Sequence, residues 1–256
     1  MSLPKISQFV ILVFGLAAAT AWSSAARISS QAASSEQAAA QQDQSRPNSD
    51  ELQHVIAQMD RTAANFRTTQ ANFVWTQYTA VVNDITDTQK GTVYFRRTGN
   101  QVEMMADIND PAPPKYVLYI GSKIQVYQPK IDQVTQYDTG KDRATFESFL
   151  ILGFGGSGQE MLKSFDVRYL ANENVGGIDA AKLDLVPKSE KARNTFNHIW
   201  LWIDPARGVC VQQKLFASDG DYRLAQYSEI RPNQKIPDNE FKLKTGSKTK
   251  FLSPKG

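Results

Sequence analysis

The sequence lacks the residues that several kinds of functional site require. It contains one cysteine, Cys210, and two histidines, His54 and His198, among 256 residues. A single cysteine cannot form an internal disulfide bond, and no spacing of cysteine, histidine and acidic residues matches a metal site. No combination of serine, histidine and acid stands out as a catalytic arrangement. We therefore expect no enzyme activity, no metal and no cofactor, with Cys210 in the core and each histidine solvated or in the core.

Charge of one sign is not concentrated anywhere in the chain. The sequence has 29 basic and 26 acidic residues, and the basic ones are scattered. A nucleic-acid-binding surface needs a basic patch or stripe. Nucleic acid is therefore not an expected partner.

The chain also lacks an apolar run long enough to span a bilayer. Residues 9–21 carry no charge, but a spanning helix needs roughly 20 apolar residues. Lys5 precedes this run and small residues follow it at 23–26. The pattern is typical of a signal peptide over 1–26 that is cleaved after Ala25 or Ala26, and an uncleaved membrane anchor is the alternative. We expect an exported protein, and since no cysteine follows the run, it is not itself a lipoprotein.

The first structured element is expected after residue 48. Residues 27–48 are mostly alanine, serine and glutamine, which predicts a disordered leader. From residue 49 onward the chain is expected to form a single domain to residue 256. Asn48 or Ser49 is a candidate N-cap, and the helix is expected to end near Arg67. Apolar residues at helical spacing support it: Leu52, Val55, Ile56, Met59, Ala63 and Phe66.

Beyond the helix, apolar and polar residues alternate, which is the period of a β-strand. Short turn sequences rich in glycine, proline, asparagine and aspartate separate these stretches, as in an antiparallel sheet. The pattern predicts about ten or eleven strands between Ala71 and Lys244. So many strands in one sheet are expected to curl into a barrel or part-barrel.

One stretch interrupts the alternation. Residues 149–162 read FLILGFGGSGQEML, and the segment from Gly153 to Gly158 fits the G-x-G-x-x-G pattern of dinucleotide-binding loops. In that fold the loop follows a strand, but here helical spacing is found on both sides of the glycines. The residues with this spacing are Phe146, Phe149 and Leu150 before the loop, and Met161, Leu162 and Phe165 after it. We expect two short helices inserted over about 142–165, and no bound nucleotide.

Three strand motifs occur in order ahead of this insertion. Residues 73–77 begin a strand as Phe-x-x-x-Gln, and residues 91–97 read Gly-Thr-Val-Tyr-Phe-Arg-Arg. Residues 119–129 read Tyr-Ile-Gly-Ser-Lys-Ile-Gln-Val-Tyr-Gln-Pro. Together with the helix and the insertion, they give a chain that resembles the LolA-type outer-membrane lipoprotein carriers from about Leu52 to Phe241.

The resemblance implies a mainly β fold with an N-terminal helix: an incomplete barrel of antiparallel strands whose open side is covered by a mid-chain helical lid. A hydrophobic cavity would lie between sheet and lid. The implied cavity residues are Phe73, Trp75, Val93, Phe95, Val102, Met104, Ile124, Val126, Leu183 and Leu185. The implied lid residues are Phe146, Phe149, Leu150, Gly153, Gly155, Gly156 and Gly158.

The same resemblance implies a monomeric periplasmic carrier of the acyl chains of lipoproteins or related lipids. Its partners would be an inner-membrane releasing complex and an outer-membrane acceptor. A lipid- or lipoprotein-sensing regulatory module of the same fold is the alternative. Shielding the chain from water is all that this role requires, and no chemical step is needed. Exposing the about fifteen methylenes of a sixteen-carbon chain costs about 12 kcal/mol, at about 0.8 kcal/mol each.

Two features of the predicted lid have alternative interpretations. The glycines from Gly153 to Gly158 would serve as a lid hinge or lid loop, or as an ordinary connection between helices. Arg97 shares a strand face with Val93 and Phe95 and so lies at the edge of the predicted cavity. The resemblance implies that it latches the lid, and the carbonyls at the end of the helix just before Gly153 are its expected acceptors. The alternative is a surface arginine whose stem covers apolar area.

A strand at residues 196–203 is apolar on both faces, so its outer face needs cover or a partner. A docking patch is one interpretation. A terminal segment over residues 241–251 is the other candidate cover.

Overall fold

The computed structural model describes residues 36–99, 101–140 and 143–254, and strands make up 52% of the structure. Twelve strands in these residues form one sheet. They are β1 (Thr68–Thr79), β2 (Asp84–Thr98), β3 (Gln101–Asp110), β4 (Lys115–Ile120), β5 (Lys123–Gln128), β6 (Gln133–Asp138), β7 (Phe165–Val175), β8 (Ile178–Pro187), β9 (His198–Asp204), β10 (Val209–Phe216), β11 (Tyr222–Pro232) and β12 (Lys250–Leu252). The helices are α1 (Glu36–Ala64), α2 (Arg143–Leu150), α3 (Gly158–Ser164) and α4 (Glu190–Arg193), with 3-10 turns at Pro129–Ile131 and Asp238–Phe241.

The sheet consists of two meanders, β1–β6 and β7–β11, which are joined through the pairing of β1 with β11, and β12 is added at the β6 edge. Its strand order is β12-β6-β5-β4-β3-β2-β1-β11-β10-β9-β8-β7. All neighbours are antiparallel except β12, which runs parallel to β6. The outermost strands β12 and β7 do not pair, so the sheet is not closed into a barrel. The predicted fold class is confirmed, and β12 lies beyond the range in which strands were expected.

Alternation along each strand places the apolar side chains on the inner face of the curled sheet. On β1, Ala71, Phe73 and Trp75 are buried, and on β2, Val93 and Phe95 are buried. Side chains of successive strand residues point to opposite faces, so each strand contributes one inner row. These rows form one continuous core with α1 and the residues of α2 and α3.

Helix α1 begins at Glu36, so the expected helix start near Ser49 and the disordered leader are wrong for residues 36–48. Alanine, glutamine and glutamate have high helix propensity, so a segment with little to bury still forms a helix. Pro47, which favours a helix start, lies inside it. The predicted signal peptide and residues 27–35 lie outside the described residues. No helix of the described residues is both long enough and apolar enough to cross a membrane.

The C-terminal half of α1 is fixed to the sheet by burial and by the turn between β9 and β10. Val55, Ile56 and Met59 are buried. Thr62 Oγ1 donates a hydrogen bond to the carbonyl of Arg207 at 2.7 Å, and Gln58 Nε2 donates to that of Ala206 at 2.9 Å. This attachment holds α1 beside the inserted helices.

The outer face of β9 is covered by neighbouring strands, not by residues 241–251 as one interpretation expected. The Lys182 ammonium lies 3.9 Å from the Trp200 ring centroid, and the Phe216 ring lies 4.7 Å from it. Phe241 packs instead against Met105 and Leu118 on the outer face of β3 and β4.

The carboxylate of Asp184 is buried on the same outer face of the sheet and has two polar partners. Its carboxylate accepts a hydrogen bond from Arg168 Nη2 at 2.6 Å and lies 2.9 Å from His198 Nδ1. Burial acts to raise the pKa of Asp184, but the hydrogen bonds from His198 and Arg168 outweigh it and lower this pKa below its usual value. His198, expected to be solvated or in the core, is therefore partly buried and within hydrogen-bonding distance of Asp184.

Candidate functional site

Helix α2 closes one side of the curled sheet with aromatic side chains. The Phe146 ring packs 4.9 Å from the Tyr119 ring on β4, and the Phe149 ring meets the Phe165 ring edge-on at 5.4 Å. A hydrogen bond of 2.8 Å from Tyr119 Oη to Glu147 Oε1 adds a polar tie between sheet and helix. Burial and this bond raise the pKa of Tyr119. The helical spacing of phenylalanines therefore places a continuous apolar surface over the sheet.

The glycine loop is packed against the rest of the molecule, so its glycines are needed for close approach. Gly153 (φ 79°) accepts a 2.8 Å hydrogen bond on its carbonyl from the Cys210 amide, and a Cβ atom at Gly153 would overlap the Cys210 side chain. Gly155 (φ 105°) lies against the Phe66 ring, which a Cβ atom there would overlap. Only glycine combines such φ values with such contacts.

Arg97 extends from the end of β2 to this loop. Its Nη2 donates a hydrogen bond to the Gly155 carbonyl at 3.1 Å, and its guanidinium lies 5.2 Å from the Phe66 ring centroid. Arg97 was expected to meet carbonyls at the end of the helix that precedes Gly153. The acceptor lies two residues beyond that glycine, because the loop turns back over the end of β2.

The N-terminus of α3 is occupied by protein groups. Asp60 on α1 accepts hydrogen bonds from Ser157 Oγ at 2.5 Å and from the Gln159 amide at 3.1 Å. Ser157 in turn accepts a bond from the Glu160 amide at 3.4 Å. The loop follows helix α2 rather than a strand, so the context of a dinucleotide-binding loop is absent from the described residues around it. Asp60 instead ties the lid to α1.

A small apolar cavity lies between the inner face of the sheet and the lid. Its volume is about 80 Å³, whereas small-molecule sites usually hold roughly 300–1,000 Å³. The Phe154 ring fills much of the space, stacked 5.2 Å from Phe95 and edge-on 4.5 Å from Tyr227. The cavity is therefore too small for a long acyl chain, and a larger ligand would have to displace lid side chains.

The predicted site residues divide into those that line this cavity and those that do not. The ones that line it are Phe73, Val93, Phe95, Met104, Phe146, Phe149 and Leu150. Buried in the core away from the cavity lining are Trp75, Ile124, Val126, Leu183 and Leu185. Val102 and Gly156 line a separate open cleft of about 1030 Å³ beside Arg97, formed by α1, the lid and the β2–β3 turn.

Several lining residues were not anticipated from the sequence. They are Gln89, Ala106, Ile108, Leu152, Phe154, Ile199, Gln213, Leu215, Ala225 and Tyr227. The sequence does carry an indication for Phe154. A large apolar residue between two loop glycines would be exposed to water unless it packed into the interior. Nothing in the sequence marks Gln213 as a cavity residue. In the structure it lines the cavity, and its Nε2 donates a hydrogen bond of 2.8 Å to Tyr227 Oη.

The family model described as "Outer membrane lipoprotein carrier protein LolA" matches residues 64–244 of this chain. An uncharacterized conserved protein from Thermus thermophilus is similar in structure, with a TM-score of 0.51 and 10% identity over 79% of this chain and 98% of that one. A LolA superfamily protein from Nitrosomonas europaea aligns at 15% identity over 75% and 97%, with a TM-score of 0.37.

Lipoprotein LppX from Mycobacterium tuberculosis aligns at 13% identity over 72% of this chain and 97% of that one, with a TM-score of 0.42. Among curated proteins, none matches the sequence.

Proposed function

We propose, from the premise that the chain belongs to the LolA family of outer membrane lipoprotein carriers, that it shields acyl chains of lipoproteins or related lipids in the cavity beneath its lid. Members of this family bind lipids or lipoproteins in the cell envelope and are carriers rather than enzymes. Delivery to the outer membrane is the specific role we propose for this chain.

The observation that supports the proposal is the aromatic cover over an apolar cavity. Phe146, Phe149 and Phe154 all belong to the inserted segment, and all three face the sheet. In the closed state these rings occupy the space where acyl chains would lie. When acyl chains replace the phenylalanine rings, the apolar face of the sheet is covered both in the empty and in the loaded protein. Loading therefore need not expose this face to water.

Arg97 supplies the proposed latch. One charge-assisted hydrogen bond is worth roughly 1.5–3 kcal/mol, which is small beside the roughly 12 kcal/mol of burying one long acyl chain. A bound chain can therefore displace the contact between Arg97 and Gly155. When the lid closes again, the contact re-forms and favours release of the cargo.

The test is transfer of a fluorescent triacylated lipopeptide from loaded protein to acceptor vesicles. Phe154→Asp places a charge in the cavity, and we expect it to abolish loading. Phe251, which is 60% exposed on β12, provides the matched control Phe251→Asp, and it should load normally. Circular dichroism checks that both variants fold.

Each other outcome has a defined meaning. If the unmodified protein binds the lipopeptide but does not pass it on, the regulatory lipid-sensing module replaces the carrier. If it binds no acyl chain, the proposal is wrong. Mass spectrometry of lipids that co-purify from the periplasm would identify the natural cargo.

A further inference from the structure

The inner face of the sheet becomes polar at one end. Lys115 alternates with Val117 and Tyr119 on β4, and both of those residues are buried in the inner row. Lys115 pairs with Ile108 on β3, and Ile108 pairs with Gly91 on β2. Gln89, two residues before Gly91 in the same inner row, is buried. The turns β1–β2, β3–β4 and β5–β6 all lie at this end of neighbouring strands. The other sheet residues that line the lid cavity are apolar or aromatic except Gln213, so this polar end needs an explanation.

A surface cleft opens at the polar end and adjoins the lid cavity. Its volume is about 280 Å³, and the loop of residues 111–114 forms one wall. Gln89 and Ile108 line both this cleft and the lid cavity. Only side chains of the inner row therefore separate the apolar interior from an opening to solvent on the side of the β3–β4 loop.

The cleft contains a positive charge without a fixed counterion. Lys115 is partly buried, and no carboxylate in the described part of the chain lies within ion-pair distance of its ammonium. Asp87 is near, but it accepts a 2.6 Å hydrogen bond from Gln89 Nε2. Burial lowers the pKa of Lys115, and Asp87 only partly opposes this. A second ammonium, that of Lys130, lies exposed at the rim.

We infer that this cleft binds the acidic headgroup of an amphiphile whose acyl chain passes between Gln89 and Ile108 into the lid cavity. The inference rests on the proposed function, since it takes the cavity to be an acyl-chain site. It adds a substrate class, because an oxyanion would complete the hydrogen bonding of a partly buried ammonium that has no ion-pair partner among the described residues.

The length of the inner row suits a single chain held in this way. Gln89 and Arg97 are eight positions apart along β2, which at about 3.4 Å per position is about 27 Å. Acyl chains of one bilayer leaflet span about half of a hydrocarbon core of roughly 30 Å. A chain whose headgroup lies at Lys115 would thus end beneath the lid before it reached Arg97.

Binding of paired ligands tests the inference. We would titrate the protein at pH 8 with hexadecanoate and hexadecanol, and with lysophosphatidylglycerol and lysophosphatidylcholine, each below its micelle concentration. Each acidic ligand should bind about tenfold or more tightly than its partner without net negative charge. Lys115→Gln should remove that difference and leave hexadecanol binding unchanged, whereas Lys115→Arg should retain it. Lys123→Gln, at the exposed opposite end of the sheet, is the matched control and should change nothing.

The outcomes separate the headgroup site from the acyl-chain site. Tight binding of hexadecanoate alone identifies a fatty-acid carboxylate as the ligand group, and tight binding of lysophosphatidylglycerol alone identifies a phosphodiester. Equal binding of acidic and neutral ligands, or an equal loss of both in Lys115→Gln, overturns the inference but leaves the carrier proposal standing. If no ligand binds, both are overturned.

Discussion

Replacing Arg97 by leucine should loosen the lid while the sheet stays folded. The substitution removes the hydrogen bond to the Gly155 carbonyl and the contact with the Phe66 ring. The hydrogen bond is worth roughly 1.5–3 kcal/mol and the cation–π contact about 0.5–1 kcal/mol, which makes about 2–4 kcal/mol together. Lid opening should therefore become about 30- to 1,000-fold more favourable, with the lower figure expected because Arg97 is partly exposed to solvent.

Hydrogen exchange of the Cys210 amide measures this directly. That amide donates to the Gly153 carbonyl, so it is released only when the loop lifts from β10. Its exchange rate in Arg97→Leu should rise about thirtyfold or more, while amides in the centre of the sheet keep their protection. Arg97→Lys should give an intermediate rate, because lysine lacks the planar fork of donors.

Arg96 provides the matched control on the opposite face of the same strand. It bonds to Glu103 and Asp238, and none of its contacts among the described residues reaches the lid. Arg96→Leu should lower global stability but leave the Cys210 amide protected relative to the rest of the sheet. If Arg97→Leu exchanged at the unmodified rate, or if both variants accelerated exchange alike, Arg97 would not be a latch.

Three further predictions concern stability and reactivity. Gly155→Ala should lower the free energy of unfolding by about 2–5 kcal/mol in urea titrations, because it combines a positive φ with overlap of Phe66; Gly121→Ala, at φ 66° with open space, should cost only about 1 kcal/mol. The pKa of Asp184 is lowered in the folded state, so its ionised carboxylate adds to the free energy of unfolding above pH ~4, and this contribution is lost as the pH falls through the folded pKa. In acid-unfolding curves the unmodified protein should therefore be more stable than Asp184→Asn at pH 7, and the difference should disappear at low pH. Burial raises the pKa of Cys210 to about 12, so iodoacetamide at pH 8 should label it only after unfolding, and rapid labelling of the native protein would contradict this.

The sequence predicted the elements whose periodicity is local, and missed those that depend on packing. Alternation at Val93 and Phe95, and helical spacing at Phe146 and Phe149, placed all four side chains on the correct surfaces. Trp75 obeys the same alternation yet does not line the cavity. Which inner-row residues border empty space depends on the side chains that face them from the lid, and a strand pattern carries no information about those.

The limits of the predicted lid and helix have similar causes. Arg97 was expected to contact carbonyls just before Gly153, but its acceptor is the Gly155 carbonyl, because the loop conformation depends on Gly153 and Gly155 fitting against Cys210 and Phe66. The start of α1 was misplaced because a segment with few apolar residues can be either disordered or helical, and composition alone does not distinguish the two.

The pairing of β1 with β11 also affects the order in which the fold can form. Within each meander, neighbouring strands are joined by short connections. Thr69 on β1 and Pro232 on β11 also pair, but most of the chain of the domain lies between them in sequence. Each doubling of the closed loop costs roughly 0.6 kcal/mol of chain entropy, so this junction is the least favourable to form early. Until residues 222–232 have left the ribosome, the β1 edge of the first meander has no partner. During synthesis the nascent chain therefore presents an open sheet edge that another chain could pair with.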